Sequence, residues 1–214
     1  MAEFVEERSV NRTCLSLLVQ ELVPTAIRTT QNRYYSQEPT DDEIQTRIET
    51  QLSTPLDLPG TTAVFGSEYL LSDDTAYRVE SYGYNLGMRL AEYLMYSRAA
   101  EVKLVVKLDV MKFVCRDLWK MLYGKQMDSL RTNHRGMFVL IDNNFRPIAN
   151  LSSPNSPAEL MSVAKVYLQL PCGVIRGVLR SLGIEANVSA EIKLFPAVEF
   201  SLETPEDKTG DKTA

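Results

Sequence analysis

"NVSAEIKLFPAVEFSLE", residues 187–203, decides the fold class. Apolar and polar residues alternate on both sides of Pro196. A period of two is typical of strands that bury one face and leave the other in water, and a proline between two such runs marks a turn. The stretch therefore predicts an antiparallel hairpin. The residues that follow, 204–214, are mostly polar and are predicted to form a disordered tail.

Upstream of the hairpin, the sequence predicts a second pair of strands and several helices. The segments SLRTN, 129–133, and MFVLI, 137–141, are predicted as strands on either side of a turn. Helical spacing of apolar residues predicts helices at 11–30, 76–96, 108–123 and 158–182. Pro24 is expected to kink or interrupt the first of them. Because elements of one type come in runs, in the order ααα-ββ-α-ββ, we predict an α+β fold with helices on one face of a four-stranded antiparallel sheet.

A single domain is predicted for residues 1–203, since a chain of 214 residues is of a length typical of one domain. An insertion is expected at about 36–75. There, Thr40 and Glu43 have the spacing of a capping box that opens a short helix, and much of the remainder is rich in proline, glycine and threonine. We interpret the insertion as a long connection between the first two main helices.

The composition excludes several classes of protein. The net charge of −5 is not the basic field that nucleic-acid binding uses. The three cysteines, Cys14, Cys115 and Cys172, include no CxxC pair, which indicates reduced thiols in a cytosolic protein. The start, MAEFVEERSV, lacks the features of a signal peptide, and no apolar run approaches the length of a membrane span. We expect a cytoplasmic protein whose membrane contact is peripheral.

The candidate for a catalytic loop is KQMDSLRTNHRG, residues 125–136, which holds the only histidine of the chain, His134. A catalytic histidine needs a nucleophile and an orienting acid, and no motif in the sequence specifies those partners. The segment also lies where a hairpin must turn, and Asn, His and Gly tolerate the backbone angles of turns. Of the two interpretations we prefer the turn, and we predict no catalytic residue.

The remaining candidates for chemistry are interpreted as structural. Each cysteine lies in or beside an apolar helical face, where a thiol behaves as a small hydrophobic group. The acids show no calcium-loop or zincin spacing, and no glycine pattern matches a phosphate-binding loop or a dinucleotide fingerprint. We therefore predict no metal and no cofactor.

Glycines inside two of the predicted helices are more informative. Gly83 and Gly87 lie four residues apart, as do Gly173 and Gly177, so each pair shares one helix face. An interior glycine costs about 1 kcal/mol relative to alanine. Close approach of another backbone would offset that cost. The spacing leaves two alternatives open, which are tight packing inside the monomer and a helix–helix interface with another chain.

Several stretches of the sequence resemble one protein family. In chain order they read GYNLGMRLAEYL, LDVMKFVCRDLWKMLYGKQMDSLRTNHRG, FVLIDNNF and LPCGVIRGVLRSLGIEANVSAEI. They are similar to the small core subunits of the transport protein particle, TRAPP, and most of all to the subunit 6, or Trs-thirty-three, type of the Bet-three-like superfamily. KQMDSLRTNHRG is the most specific segment, whereas CGVIRG is shared with the Bet-three type. The resemblance covers most of the chain apart from 36–75 and the tail.

The resemblance implies an α+β fold and a non-catalytic scaffold subunit. It implies a heterodimer with a Bet-three-type subunit through the first two helices. The assembled complex would be a guanine-nucleotide exchange factor for a Rab GTPase of the Ypt-one/Rab-one class, with its exchange surface on other subunits. Its setting would be ER–Golgi and Golgi vesicle traffic and autophagy.

Two departures from the family pattern limit what the resemblance implies. Bet-three-type subunits carry an acylated cysteine just after the second helix, where this chain reads MYSRAAEVKLVV, residues 95–106, without a cysteine. The insertion is not part of the family pattern and resembles fungal elaborations. The alternative function is that of a small-molecule or lipid pocket protein, since related folds bind apolar ligands.

The partner interface is expected on apolar stripes of the first two main helices. A lone monomer would expose such stripes, which soluble monomers rarely do over a large area. The residues that we assign to the interface are Leu15, Leu18, Leu22, Tyr82, Gly83, Leu86, Gly87 and Leu90.

Overall fold

The chain folds into two units, Met1–Leu70 and Leu71–Ala214, in a computed structural model. The structure describes residues 11–35, 63–97, 104, 106–133, 136–152 and 156–205. The short helix that the sequence predicts near Thr40 lies outside the described residues.

In the first unit, the main element is helix α1, Arg12–Tyr35. Asn11 caps it, because its side-chain oxygen accepts a hydrogen bond from the Thr13 N–H at 2.9 Å. The helix continues through Pro24, so an interruption is wrong, whereas a kink stays a prediction. The buried proline removes one hydrogen-bond donor without ending the helix. The ring of Tyr34 stacks on Tyr69, with centroids 5.3 Å apart.

The second unit contains five helices and four strands among its described residues. The helices are α2 (Asp73–Ser97), α3 (107–123), α4 (Arg146–Ala149), α5 (Pro157–Tyr167) and α6 (Gln169–Ser181). The strands are β1 (Ser129–Thr132), β2 (Met137–Asp142), β3 (Asn187–Leu194) and β4 (Ala197–Glu203). All neighbouring strands are antiparallel, in the order β1-β2-β4-β3. The predicted α+β fold is confirmed, and the predicted helix at 158–182 is divided at Leu168 into α5 and α6.

The core lies between the helices and one face of this sheet. Along β4, Val198, Phe200 and Leu202 are fully buried while the residues between them are less so, which is the alternation that the sequence shows. The indole of Trp119, on α3, contacts the ring of Phe200 edge to face at a centroid distance of 5.3 Å. Edge-to-face packing of this kind adds to the stabilisation from burial alone.

The residues that directly follow β4 also pack against the fold. Thr204, which the sequence analysis placed in the tail, is buried. Its backbone N–H and its hydroxyl both donate to the carbonyl of Gly136, at 2.8 and 2.9 Å. Lys107 then donates to the carbonyl of Pro205 at 2.8 Å. The two Thr204 bonds hold the end of β4 against the start of β2, and the Lys107 bond ties it to the start of α3. The tail residues after Pro205 lie outside the described part of the chain.

Helices α2 and α6 cross at their glycines. A Cβ atom added to Gly83 would overlap the carbonyl oxygen of Leu170, and one added to Gly87 would overlap that of Val174. Both obstacles are backbone atoms, which cannot rotate away. Of the two alternatives that the sequence leaves open for these glycines, the structure shows packing inside the chain.

The contact is reciprocal, because α6 contributes glycines of its own. A Cβ on Gly173 would overlap the carbonyl oxygen of Glu80, and one on Gly177 would overlap that of Tyr84. Beside the crossing, Arg176 pairs with the Glu80 carboxylate at 3.0 Å and lies 5.3 Å from the centroid of the Tyr84 ring. The glycines set how closely the helices approach, and the arginine ties their polar edges together.

A short π-helical turn, Val114–Leu118, interrupts α3 and anchors the following loop. The N–H of Trp119 donates to the carbonyl of Val114, five residues back, and so bypasses the carbonyl of Cys115. That carbonyl instead accepts the N–H of Met127 at 3.0 Å. Gly124, in the left-handed conformation with φ of 66°, ends the helix and lets the chain return along it.

This loop brings Lys125 to the fully buried carboxylate of Asp142, at the end of β2. Lys125 pairs with one carboxylate oxygen, which also accepts the Asn144 N–H at 2.9 Å. The other oxygen accepts the indole N–H of Trp119 at 2.8 Å. Nearby, Asp128 accepts the Asn143 N–H at 2.7 Å. Lys125 and Asp128 therefore tie the loop after α3 to the end of β2 and to the loop that follows it.

We expect Gly83→Ala and Gly177→Ala each to lower the free energy of unfolding by about 3 kcal/mol or more. The reason is that the methyl group can be accommodated only by moving two helical backbones apart. The measurement is urea denaturation followed by circular dichroism. The control is Gly66→Ala, where an added Cβ has no neighbour within 4 Å. A change as small as the control's would contradict the crossing.

We expect Asp142→Ala to lower the free energy of unfolding by about 3 kcal/mol, because it leaves the buried indole N–H of Trp119 and the partly buried Lys125 ammonium without their acceptor. Asp109→Ala, which removes only the exposed pair with Lys112 at 3.2 Å, should cost about 0.5 kcal/mol. Equilibrium unfolding of both variants checks the contrast, and equal losses would show that Asp142 is not the anchor that its burial indicates.

Candidate partner interface

Helix α2 carries apolar side chains on a face that the second unit leaves open. Residues at alternating steps of four and three lie on one side of a helix and form a stripe along it. On α2 such a stripe is formed by Tyr82, Leu86, Arg89, Tyr93 and Tyr96. We call these five residues the α2 stripe. The exposed fractions are 37% for Leu86, 58% for Tyr93 and 87% for Tyr96, and Tyr82 is half-buried.

Polar groups border the α2 stripe. Arg89, within the stripe, pairs with Glu92 beside it at 3.4 Å, and both side chains are exposed. The side chain of Asn85 donates to the carbonyl of Ser81 at 2.9 Å. Aromatic residues and arginine are both enriched in protein–protein interfaces, and the α2 stripe carries both. The α2 stripe can therefore bind another protein surface by burying its rings.

In the first unit, α1 also presents apolar residues. Leu17 and Leu18 are exposed, whereas Leu15 and Leu22 are half-buried. The fully buried residues of this helix, Val23, Ala26 and Ile27, lie in its second half. Leu18 therefore has the exposure that an interface residue needs, and Leu17, which the sequence analysis did not select, has it as well.

The residues that the sequence assigned to the interface on α2 separate into two groups. Leu86 is exposed and Tyr82 and Leu90 are half-buried, so these three remain available in part. Gly83 and Gly87 are buried against α6 of the same chain, and we remove them from the interface. Spacing alone could not separate the groups, because they lie on adjacent strips of one helix.

Neither Cys115 nor Cys172 supplies a nucleophile. Burial raises the pKa of the Cys115 thiol to about 12. Burial, with a smaller contribution from the charge of Glu80, also raises the pKa of Cys172 to about 12. Both are protonated at neutral pH and hence unreactive. Cys14, which the sequence placed in the core, is exposed, so that expectation is wrong.

His134 lies outside the described residues. On either side of it, β1 and β2 pair directly, and the Asn133 N–H donates to the carbonyl of Met137 at 3.2 Å. The described residues contain no cluster of three or more His, Cys, Asp or Glu side chains that could hold a metal ion. In the same part of the chain, no helix combines the length and the apolar character that crossing a membrane requires.

The chain matches known proteins over most of its length. A family model described as Transport protein particle (TRAPP) component matches residues 15–209. Trafficking protein particle complex subunit 6B of Mus musculus is 40% identical over 125 residues, which are 58% of this chain and 75% of that protein. Subunit 6A of Homo sapiens is 39% identical over 127 residues, which are 59% and 76% of the two chains.

A solved structure shows the same fold. It is described as a trafficking protein particle complex subunit 3 from Naegleria fowleri covalently bound to palmitic acid, and it superposes with a TM-score of 0.55. The similarity covers 92% of this chain and 98% of that one, and the two sequences are 14% identical. At this identity the likeness shows the fold alone. The family assignment depends on the sequence matches, which confirm the resemblance in the first section: this chain belongs to the family of TRAPP components.

Proposed function

We propose that the chain is a non-catalytic core scaffold subunit of the TRAPP tethering and Rab exchange complex. Its membership of the family and its identity with proteins named as subunits 6A and 6B support this setting. In this proposal it forms a heterodimer with a Bet-three-type subunit. It acts in ER–Golgi and Golgi vesicle traffic and in autophagy, as a cytoplasmic protein that reaches those membranes peripherally through the complex.

The observation that carries the proposal is the exposure of the α2 stripe. Along a single helix face, the side chains of Tyr93 and Tyr96 are more than half exposed and that of Leu86 is 37% exposed. Aromatic side chains bury about 150–250 Å² each. At about 25 cal/mol per Å², covering these three side chains would stabilise a complex by several kcal/mol. A partner surface is the simplest reason for a folded chain to keep them exposed.

The polar groups of the second unit support binding rather than catalysis. Asp142 is committed to hydrogen bonds that hold the core, and the thiols of Cys115 and Cys172 are protonated. We propose that a Rab GTPase of the Ypt-one/Rab-one class contacts this chain only through the assembled complex, whose exchange surface lies on other subunits. The role of this chain is then to hold subunits together.

We also propose that residues 1–203 act as one domain with an insertion at about 36–75. A single family model matches residues 15–209 and so runs across the division between the two units, which supports treating them as parts of one domain. Of the insertion, the structure describes residues 63–75. They form two 3-10 helical turns, Ala63–Gly66 and Glu68–Leu71, and the start of α2.

The proposal is tested by Tyr93→Asp in the α2 stripe. A carboxylate buried in the interface loses its hydration, and the guanidinium of Arg89, four residues away, is already paired with Glu92. The substitution therefore weakens association by about 100-fold or more. We expect isothermal titration with a Bet-three-type subunit to show this loss, and native mass spectrometry to show a heterodimer for the unchanged chain.

The matched control is Tyr77→Asp, on the same helix. Tyr77 is 70% exposed but lies about 160° around α2 from Tyr93, so its substitution should leave the affinity unchanged. Equal affinities for all three proteins would remove the α2 stripe from the interface. An extra small mass on the chain alone would instead favour the alternative function, a pocket for an apolar ligand.

His134→Ala should leave nucleotide exchange by the assembled complex nearly unchanged. From the sequence, His134 is interpreted as a residue without a role in proton transfer. Rab exchange works by displacing the magnesium and nucleotide contacts of the Rab, which this proposal assigns to other subunits. The measurement is release of a fluorescent nucleotide from the Rab by complexes that contain either form of the chain. A tenfold slower exchange, about 1.4 kcal/mol in the barrier, with assembly intact would show that this loop takes part in the reaction.

A further inference from the structure

Arg89 is the charged residue of the α2 stripe, and it lies inside the stripe rather than at its border. Leu86 precedes it by three residues and Tyr93 follows it by four. At about 100° per residue, Leu86 lies about 60° from Arg89 on one side of it, and Tyr96 lies about 20° from it on the other. A partner that covers both Leu86 and Tyr96 therefore covers Arg89 as well.

Glu92 satisfies only part of what the Arg89 guanidinium offers. One carboxylate oxygen of Glu92 lies 3.4 Å from one terminal nitrogen of Arg89, and the two side chains are 62% and 81% exposed. A guanidinium carries five N–H donors in one plane. Water serves the remaining donors while the α2 stripe is uncovered. The pair with Glu92 therefore does not complete the hydrogen bonding of Arg89.

Covering the α2 stripe removes that water. A charged group that is buried with donors left unsatisfied opposes association, and the apolar contacts of the stripe must then overcome its cost. A neutral acceptor on the partner would serve the donors without balancing the charge. A carboxylate does both, because its two oxygens can accept parallel N–H bonds from the planar guanidinium.

We propose that the surface which covers the α2 stripe is apolar and presents one carboxylate, which accepts two hydrogen bonds from Arg89. This inference rests on the proposed function, because it takes the α2 stripe to be the heterodimer interface. Glu92 remains at the edge of the stripe as a second acceptor. Arg89 then selects the partner, since an apolar surface without the carboxylate would leave the guanidinium buried and incompletely paired.

The test exchanges the two charges within the chain, Arg89→Glu combined with Glu92→Arg. The exchange keeps the net charge and the three-residue spacing, so an ion pair within α2 is retained. The carboxylate of the partner would then face another carboxylate, and we expect isothermal titration with a Bet-three-type subunit to show an affinity at least 100-fold lower. Unchanged affinity of the exchanged chain would mean that Glu92 alone satisfies Arg89, which would overturn the proposal.

The matched control exchanges another exposed pair of the same spacing. Asp109 and Lys112 on α3 lie 3.2 Å apart, and both side chains are about half exposed. Asp109→Lys combined with Lys112→Asp should leave the affinity unchanged, because this pair lies outside the proposed interface. Circular dichroism of both exchanged chains checks that α2 and α3 remain folded.

The single substitution Arg89→Met should weaken association about 30-fold, mainly by faster dissociation. Loss of a buried, hydrogen-bonded charge pair acts on the dissociation rate, whereas loss of a charge at the rim acts on the association rate. Surface plasmon resonance separates the two rates. Slower association with an unchanged dissociation rate would place Arg89 at the rim and would contradict the proposal.

Charge reversal in the partner locates the carboxylate. Among Bet-three-type subunits that carry one Asp→Lys or Glu→Lys substitution, one should bind the exchanged chain at least tenfold more tightly than the unaltered subunit does, and failure of all of them would overturn the proposal. Tyr93→Asp separates this result from the proposed function. If Tyr93→Asp weakens binding and the charge exchange does not, the interface stands and the inference about Arg89 fails. If neither weakens binding, the α2 stripe is not the interface and both fail.

Discussion

The second unit depends on the crossing of α2 and α6 through four glycines. Each helix gives two residues without side chains, and each meets the backbone of the other. A close crossing of this kind favours weak Cα–H to carbonyl contacts and excludes water, which offsets the conformational cost of glycine in a helix. It also fixes the rotation of α2 about its axis. Because the glycine face points inward, the α2 stripe must point outward, and the exposure of Tyr93 and Tyr96 follows from the same constraint that builds the core.

The sequence predicted the elements better than it predicted their environments. Alternation in 187–203 and helical spacing elsewhere are local signals, and the hairpin, the sheet and the main helices were found where they were expected. The depth of burial is not local. Cys14 and Cys172 both lie on helices with apolar faces, yet one is exposed and the other buried, because that depends on which segments fold over each helix. For the same reason the glycine pair on α2 could not be separated from Leu86 before the position of α6 was known.

Two further features had no readable signal in the sequence. The π-helical turn at Val114–Leu118 shifts the hydrogen-bond register of α3, and ordinary helical spacing describes the residues on each side of it equally well. Asp142 follows a run of apolar residues, and nothing in that position shows that its carboxylate is completely buried. The burial of Asp142 is explained by its partner Lys125, which is brought there by a loop that the Cys115 carbonyl holds in place. Long-range partners of this kind require the assembled fold.

The position of Trp119 has a spectroscopic consequence. It is the only tryptophan of the chain, it is fully buried, and its indole N–H is bound to a carboxylate. Its ultraviolet emission therefore reports on a single place, where the π-helical turn, the end of β2 and the aromatic core meet. A ligand that settles on the outer face of α2 would leave that emission unaltered, whereas melting of the centre would shift it towards longer wavelengths. The protein thus contains its own optical probe, which separates assembly from unfolding without any added dye.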